Sequence, residues 1–141
     1  AIIDKNLRII KNSFLIKNAK NNKTYLFYNT NNKNKLNFLK SKKIILIKTP
    51  IKNKNLDFNF ILTKLYNFEI SSILIEGGKS LTFSLLKKGI FNEFYLFKSS
   101  QNLKKRGILK VNNLKSILSN KFKNSKFNET FLDKDNLIHY Y

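Results

Sequence analysis

The feature that most constrains this chain is residues 71–97, SSILIEGGKSLTFSLLKKGIFNEFYLF. An apolar run, Ile73-Leu74-Ile75, meets Glu76 and the paired glycines Gly77 and Gly78, and a helical pattern follows at once. Leu81, Leu85 and Leu86 supply its apolar face, and Gly89 after Lys87 and Lys88 is a natural stop. A second apolar run over residues 94–97 supplies the next strand. Strand, tight turn, helix and strand without spacers point to an α/β arrangement.

That junction favours an anion. Paired glycines let the backbone turn sharply and let a ligand come close, and the first N–H groups of the helix lack intrahelical acceptors. The positive end of the helix dipole lies at the same place, so a phosphate or pyrophosphate is a natural occupant. An ordinary tight turn with Glu76 as a solvated strand-end carboxylate has the same local pattern.

Elsewhere the chain reads as alternating strands and helices. Residues 1–4 (AIID) read as the end of a buried strand, with Asp4 able to cap the turn that follows. Residues 5–18 read as a loop with an apolar anchor, Phe14-Leu15-Ile16. Residues 24–30 (TYLFYNT) are aromatic and β-branched and should form a central strand, with Asn29-Thr30 at the end where open α/β sheets bind ligands. Residues 31–41 read as a short, poorly amphipathic helix and residues 43–48 as a strand broken by Thr49-Pro50. Residues 57–68 are the clearest helix: Asp57 is the N-cap, and Phe58, Ile61, Leu62 and Leu65 form one stripe for a face of the sheet. Residues 98–106 read as a basic loop. Residues 114–122 and 127–132 read as extended, and a turn at residues 133–136 leads to a closing strand over residues 137–141. The last two strands make an antiparallel hairpin.

The wording ILIEGG, then small or apolar helix positions, then KKGIFNEFYLF, resembles the RibD C-terminal family, the reductase domain of riboflavin biosynthesis. Its pattern is an apolar strand, E-G-G, a helix, a Gly-apolar-apolar-Asp-Glu junction and another apolar strand; Asn92-Glu93 stands in place of Asp-Glu. The similarity extends more loosely over residues 1–100. It implies a dihydrofolate-reductase-like α/β fold, a mostly parallel sheet flanked by helices with an antiparallel C-terminal hairpin. It also implies NADPH-dependent reduction of 5-amino-6-(5-phosphoribosylamino)uracil to the ribitylamino product, and a homodimer is compatible with it; the absence of Cys suits the reducing cytoplasm. By the same resemblance Glu76 would contact substrate, and Gly77, Gly78, Lys79, Ser80, Leu81 and Thr82 would hold the cofactor's phosphates. Lys5 stands where the family has a small hydroxyl residue that touches the cofactor; a lysine there could pair with a phosphate. No catalytic residue is identified. The expectation is one domain over residues 1–141, a truncated reductase domain that lacks its N-terminal part and is inactive alone.

Composition excludes other classes. There is no Cys for a disulfide, a thiolate metal site or a thiol nucleophile, and the lone His139 has no spaced partners for a metal or a triad, so it reads as a surface or strand histidine. Gly78-Lys79-Ser80 mimics the tail of a P-loop, but Ile73 replaces the required earlier Gly. No apolar run approaches a membrane span. The 28 Lys and Arg against 8 Asp and Glu, net +20, would suit a small basic nucleic-acid-binding domain. The lysines are scattered over every segment and accompanied by Asn, Ile and Phe, which fits compositional bias and argues against a nucleic-acid partner. A folate or pterin reductase of the same fold is the remaining alternative, opposed by Glu76, since an apolar residue usually precedes that family's Gly-Gly turn.

Overall fold

The computed structural model describes residues 1–100, 113–129 and 135–141. Its contacts divide the chain into two units, Ala1–Ile73 and Leu74–Tyr141.

The first unit is built on a parallel sheet of β1 (Ile2–Ile3), β2 (Tyr25–Tyr28) and β3 (Ile45–Lys48), in the order β1-β2-β3. The expected central strand is thus central, with Leu26 opposite Ile2 on one side and Leu46 on the other. Successive β2 side chains point to opposite faces. Leu26 and Tyr28 face a core of Leu7, Ile16, Ala19, Leu39 and Ile44. Ile16 comes from α1 (Phe14–Asn18) and Leu39 from α2 (Lys33–Ser41). Tyr25 and Phe27 take the other face. There Tyr25 stacks on Phe68, with ring centroids 4.6 Å apart, at the end of α3 (Phe58–Asn67). Asp57 caps α3 as its sequence position demands, accepting from the Asn59 N–H, and Phe58, Ile61 and Leu65 are buried. Between β3 and α3 lies a hairpin, β4 (Ile51–Lys52) and β5 (Asn55–Leu56), which the sequence reading did not anticipate. Its turn residues Asn53 and Lys54 both have positive φ, the I′ geometry of two-residue loops.

The second unit contains α4 (Lys79–Lys88), β6 (Phe94–Lys98), α5 (Leu114–Lys121), β7 (Ser125–Glu129) and β8 (Asn136–Tyr140). Its sheet is antiparallel, in the order β6-β8-β7. Leu86, Leu118, Phe122 and Tyr140 form the core, with Phe94, Leu96 and Ile138 packed against them. A parallel sheet and an antiparallel C-terminal hairpin are both present, as expected, in separate sheets.

Three expectations are corrected. Residues 114–122 are not extended: α5 occupies 114–121, because Leu114, Ile117, Leu118 and Phe122 recur at helical spacing and share one core. Residues 73–75 form no strand. An extended segment needs a ladder partner, none pairs with it among the described residues, and Ile73 and Leu74 are 39% and 81% exposed. The anchor Phe14-Leu15-Ile16 is a helical turn in which Ile16 is buried, while Phe14 and Leu15 are exposed. Most of the basic loop beyond Ser100, and the turn before Asp135, lie outside the described residues.

Three helices end alike. A residue just past the last helical turn adopts a left-handed conformation, and the next N–H reaches back five residues: Ile44 to Leu39, Ile70 to Leu65 and Ile90 to Leu85. Glycine fills that position after α4 (Gly89, φ 71), but Lys43 (φ 62) and Glu69 (φ 62) fill it after α2 and α3. Replacing Lys43 by Gly relieves the strained backbone, and Gly89→Ala introduces it; we expect a gain and a loss of about 0.5–1 kcal/mol respectively. Urea unfolding midpoints check both, and a Lys43→Gly variant no more stable than the parent contradicts this account.

Candidate functional site

The corner at Glu76, Gly77 and Gly78 opens α4 as the sequence pattern requires. Gly78 is the N-cap, extended (φ −69, ψ 170) and without a side chain to cap the helix. The first helical hydrogen bond runs from Thr82 N–H to Gly78 O at 3.1 Å. The amides of Ser80 and Leu81 therefore precede it and take no protein acceptor among the described residues. Glu76, Lys79 and Ser80 are exposed.

The two glycines differ. A Cβ on Gly77 would lie 2.9 Å from Leu81 Cδ2 and 3.2 Å from Leu81 Cβ, so Gly77 is where helix and turn pack together. A Cβ on Gly78 would meet nothing within 4 Å, so the approach to this backbone is open. Thr82 turns its hydroxyl back onto Gly77 O at 3.3 Å and pins the turn. Leu81 packs on the corner from inside, so what it offers a ligand is its amide. Glu76, Gly77, Gly78, Lys79, Ser80, Leu81 and Thr82 thus form one continuous corner.

Lys5 belongs to the first unit. It follows β1, and its ammonium donates to Lys54 O at 2.9 Å. Its neighbour Asp4 caps the turn, its Oδ2 accepting from the Ile9 N–H at 2.7 Å. Around the carboxyl edge of the same sheet, Asn29 donates its backbone N–H to Lys5 O (2.9 Å) and its carboxamide to Thr49 O (2.7 Å).

One polar cluster escaped the sequence reading. His139, on β8, lies opposite Tyr95 of β6, and their rings stack at 4.3 Å and 4°. Glu93 joins them: its Oε2 accepts from the Tyr95 hydroxyl at 2.7 Å and lies 2.9 Å from His139 Nε2. Only the strand register brings residues 46 positions apart together. His139 is a strand histidine, as its sequence position suggested; no group of three or more His, Cys, Asp or Glu converges among the described residues. No helix there is long and apolar enough to cross a membrane. The Tyr95 hydroxyl, and after it His139, hold the Glu93 carboxyl below its ordinary range, and the same bond raises the Tyr95 phenol.

Residues 1–103 match the family described as the RibD C-terminal domain. The chain is also similar to a riboflavin biosynthesis protein RibD from Actinobacillus pleuropneumoniae, 29% identical over 96 residues. That alignment covers 68% of this chain and 26% of the relative, so the chain spans about a quarter of the relative's length.

Two outcomes follow from these geometries. Gly77→Ala forces a methyl against Leu81 and should cost about 1–3 kcal/mol, against a few tenths to about 1 kcal/mol for Gly78→Ala, which changes only the cap. Thermal unfolding ranks them, and equal losses contradict the packing described here. For Glu93, a carboxyl held below its unfolded value of about 4.3 stabilises the fold above that pH, and the contribution disappears as pH falls through the folded value. Glu93→Gln should therefore be less stable than the parent at pH 6 and indistinguishable from it near pH 2 by urea unfolding.

Proposed function

The chain belongs to the RibD C-terminal domain family, and from that premise we propose that it forms part of the reductase of riboflavin biosynthesis, acting with NADPH on 5-amino-6-(5-phosphoribosylamino)uracil. The observation that carries the reading is the uncapped, open corner at Gly78 within the segment that the family match covers.

The residues present fit a dinucleotide's phosphates. Free amides at Ser80 and Leu81, the dipole of a ten-residue helix and the open face of Gly78 favour an anion brought close to the backbone. Lys79 and Ser80 add a cation and a hydroxyl at the same spot. Gly77 and Thr82 hold the turn so that these amides stay aligned. Glu76, immediately before the turn, is the substrate contact on this reading. Bound NADPH would supply the hydride that reduces the ribosyl carbon. The protein's part is to position the reactants and hold the anionic groups.

The proposal extends to setting: a small-molecule enzyme of the cytoplasm, without a nucleic-acid partner, with which a homodimer is compatible. Residues 1–141 are proposed to act as one reductase domain. The proposal is tested by NADPH fluorescence titration of the chain and of Gly78→Val. The variant places a branched side chain where a pyrophosphate must approach, and its Kd should rise about tenfold or more while circular dichroism stays unchanged. Equal affinity of parent and variant would remove the corner from the cofactor site.

A further inference from the structure

The ends of β1 and β3 lie on opposite sides of β2, yet one short segment links them. The β4–β5 hairpin leaves β3 through Thr49 and Pro50, and its base is closed by the Asp57 N–H on Pro50 O at 2.8 Å. Its tip is the Asn53-Lys54 turn, where Lys54 O accepts from the ammonium of Lys5, just beyond β1. The hairpin therefore runs from the β3 side to the β1 side, past the end of β2. That end is Asn29, whose amide and carboxamide tie Lys5 O and Thr49 O together. In open α/β sheets this carboxyl edge is where ligands sit.

The hold on this hairpin is weak. Two residues a strand make a marginal hairpin, and of its six residues only Leu56 is buried. Among the described residues its tip is held by one ammonium donating to a neutral carbonyl, although the same ammonium would bond an oxyanion roughly twice as strongly. The adjacent carboxylate, Asp4, is turned to the Ile9 N–H.

We propose that the β4–β5 hairpin is a strap across the carboxyl edge of the parallel sheet, latched by Lys5. A phosphate or pyrophosphate group arriving at that edge takes the Lys5 ammonium and releases the strap. The inference deepens the cofactor reading and rests on it only for the source of the anion.

Amide hydrogen exchange of the full chain, with sodium pyrophosphate as probe and sodium chloride at matched ionic strength as control, tests it. Pyrophosphate should speed exchange of the Asn55 and Asp57 amides several-fold while the β2 amides stay protected. Lys5→Met should show the faster exchange without pyrophosphate and no further response, and Lys5→Arg should retain both latch and response. No selective change on adding pyrophosphate, or an undiminished response in Lys5→Met, overturns the proposal. A response to pyrophosphate with none to NADPH keeps the strap and removes the cofactor reading.

Discussion

The first unit depends on satisfying the backbone of one strand. Leu26 and Phe27 have no exposed surface, so every N–H and C=O of β2 must find a partner within the protein. β1 and β3 provide them from either side, and the ladder continues beyond the strands: Asp4 N–H to Phe27 O, Asn29 N–H to Lys5 O, and Thr49 N–H to Tyr28 O. The carboxyl edge is thus an extension of the ladder and shares its rigidity. This places Lys5, Asn29 and Thr49 on fixed backbone, while the hairpin that crosses the same edge leans on one side-chain bond.

The helices around this ladder begin and end by local rules with uneven chemistry. Asp57 and Asn32 cap α3 and α2 through their side chains, whereas the N-cap of α4 is a glycine that offers no side-chain bond. At the other ends the pattern reverses, since α4 has the glycine that a left-handed residue favours and α2 and α3 make do with Lys43 and Glu69. A chain with four glycines can relieve few such positions. Three of the four lie at the two ends of α4, the helix whose open N-terminus is proposed to hold the cofactor.

In the second unit, a three-stranded antiparallel sheet carries α5 on its core face. Its opposite face carries Tyr95 and His139, joined by Glu93 at the mouth of β6. Glu93 sits at the junction where the family pattern has its acidic pair, so the same short stretch that identifies the family also supplies the carboxylate of this cluster.

The amino-acid sequence alone determined what acts within a turn or two of chain. The Phe58, Ile61, Leu65 stripe and its Asp57 cap, the glycine corner, the stop at Gly89 and the family resemblance are all short-range patterns, because capping, φ preference and helical periodicity involve neighbours in sequence. Only the tertiary structure decided the pairings. Nothing local says that Tyr95 faces His139, that Lys5 reaches Lys54 forty-nine positions on, or that residues 73–75 find no strand partner among the described residues. Residues 114–122 lie between these cases: their helical spacing was visible, but a short apolar run fits strand and helix alike until a core selects one. Hydrogen bonds between distant segments depend on which surfaces the whole chain can bury together, and no window of sequence contains that information.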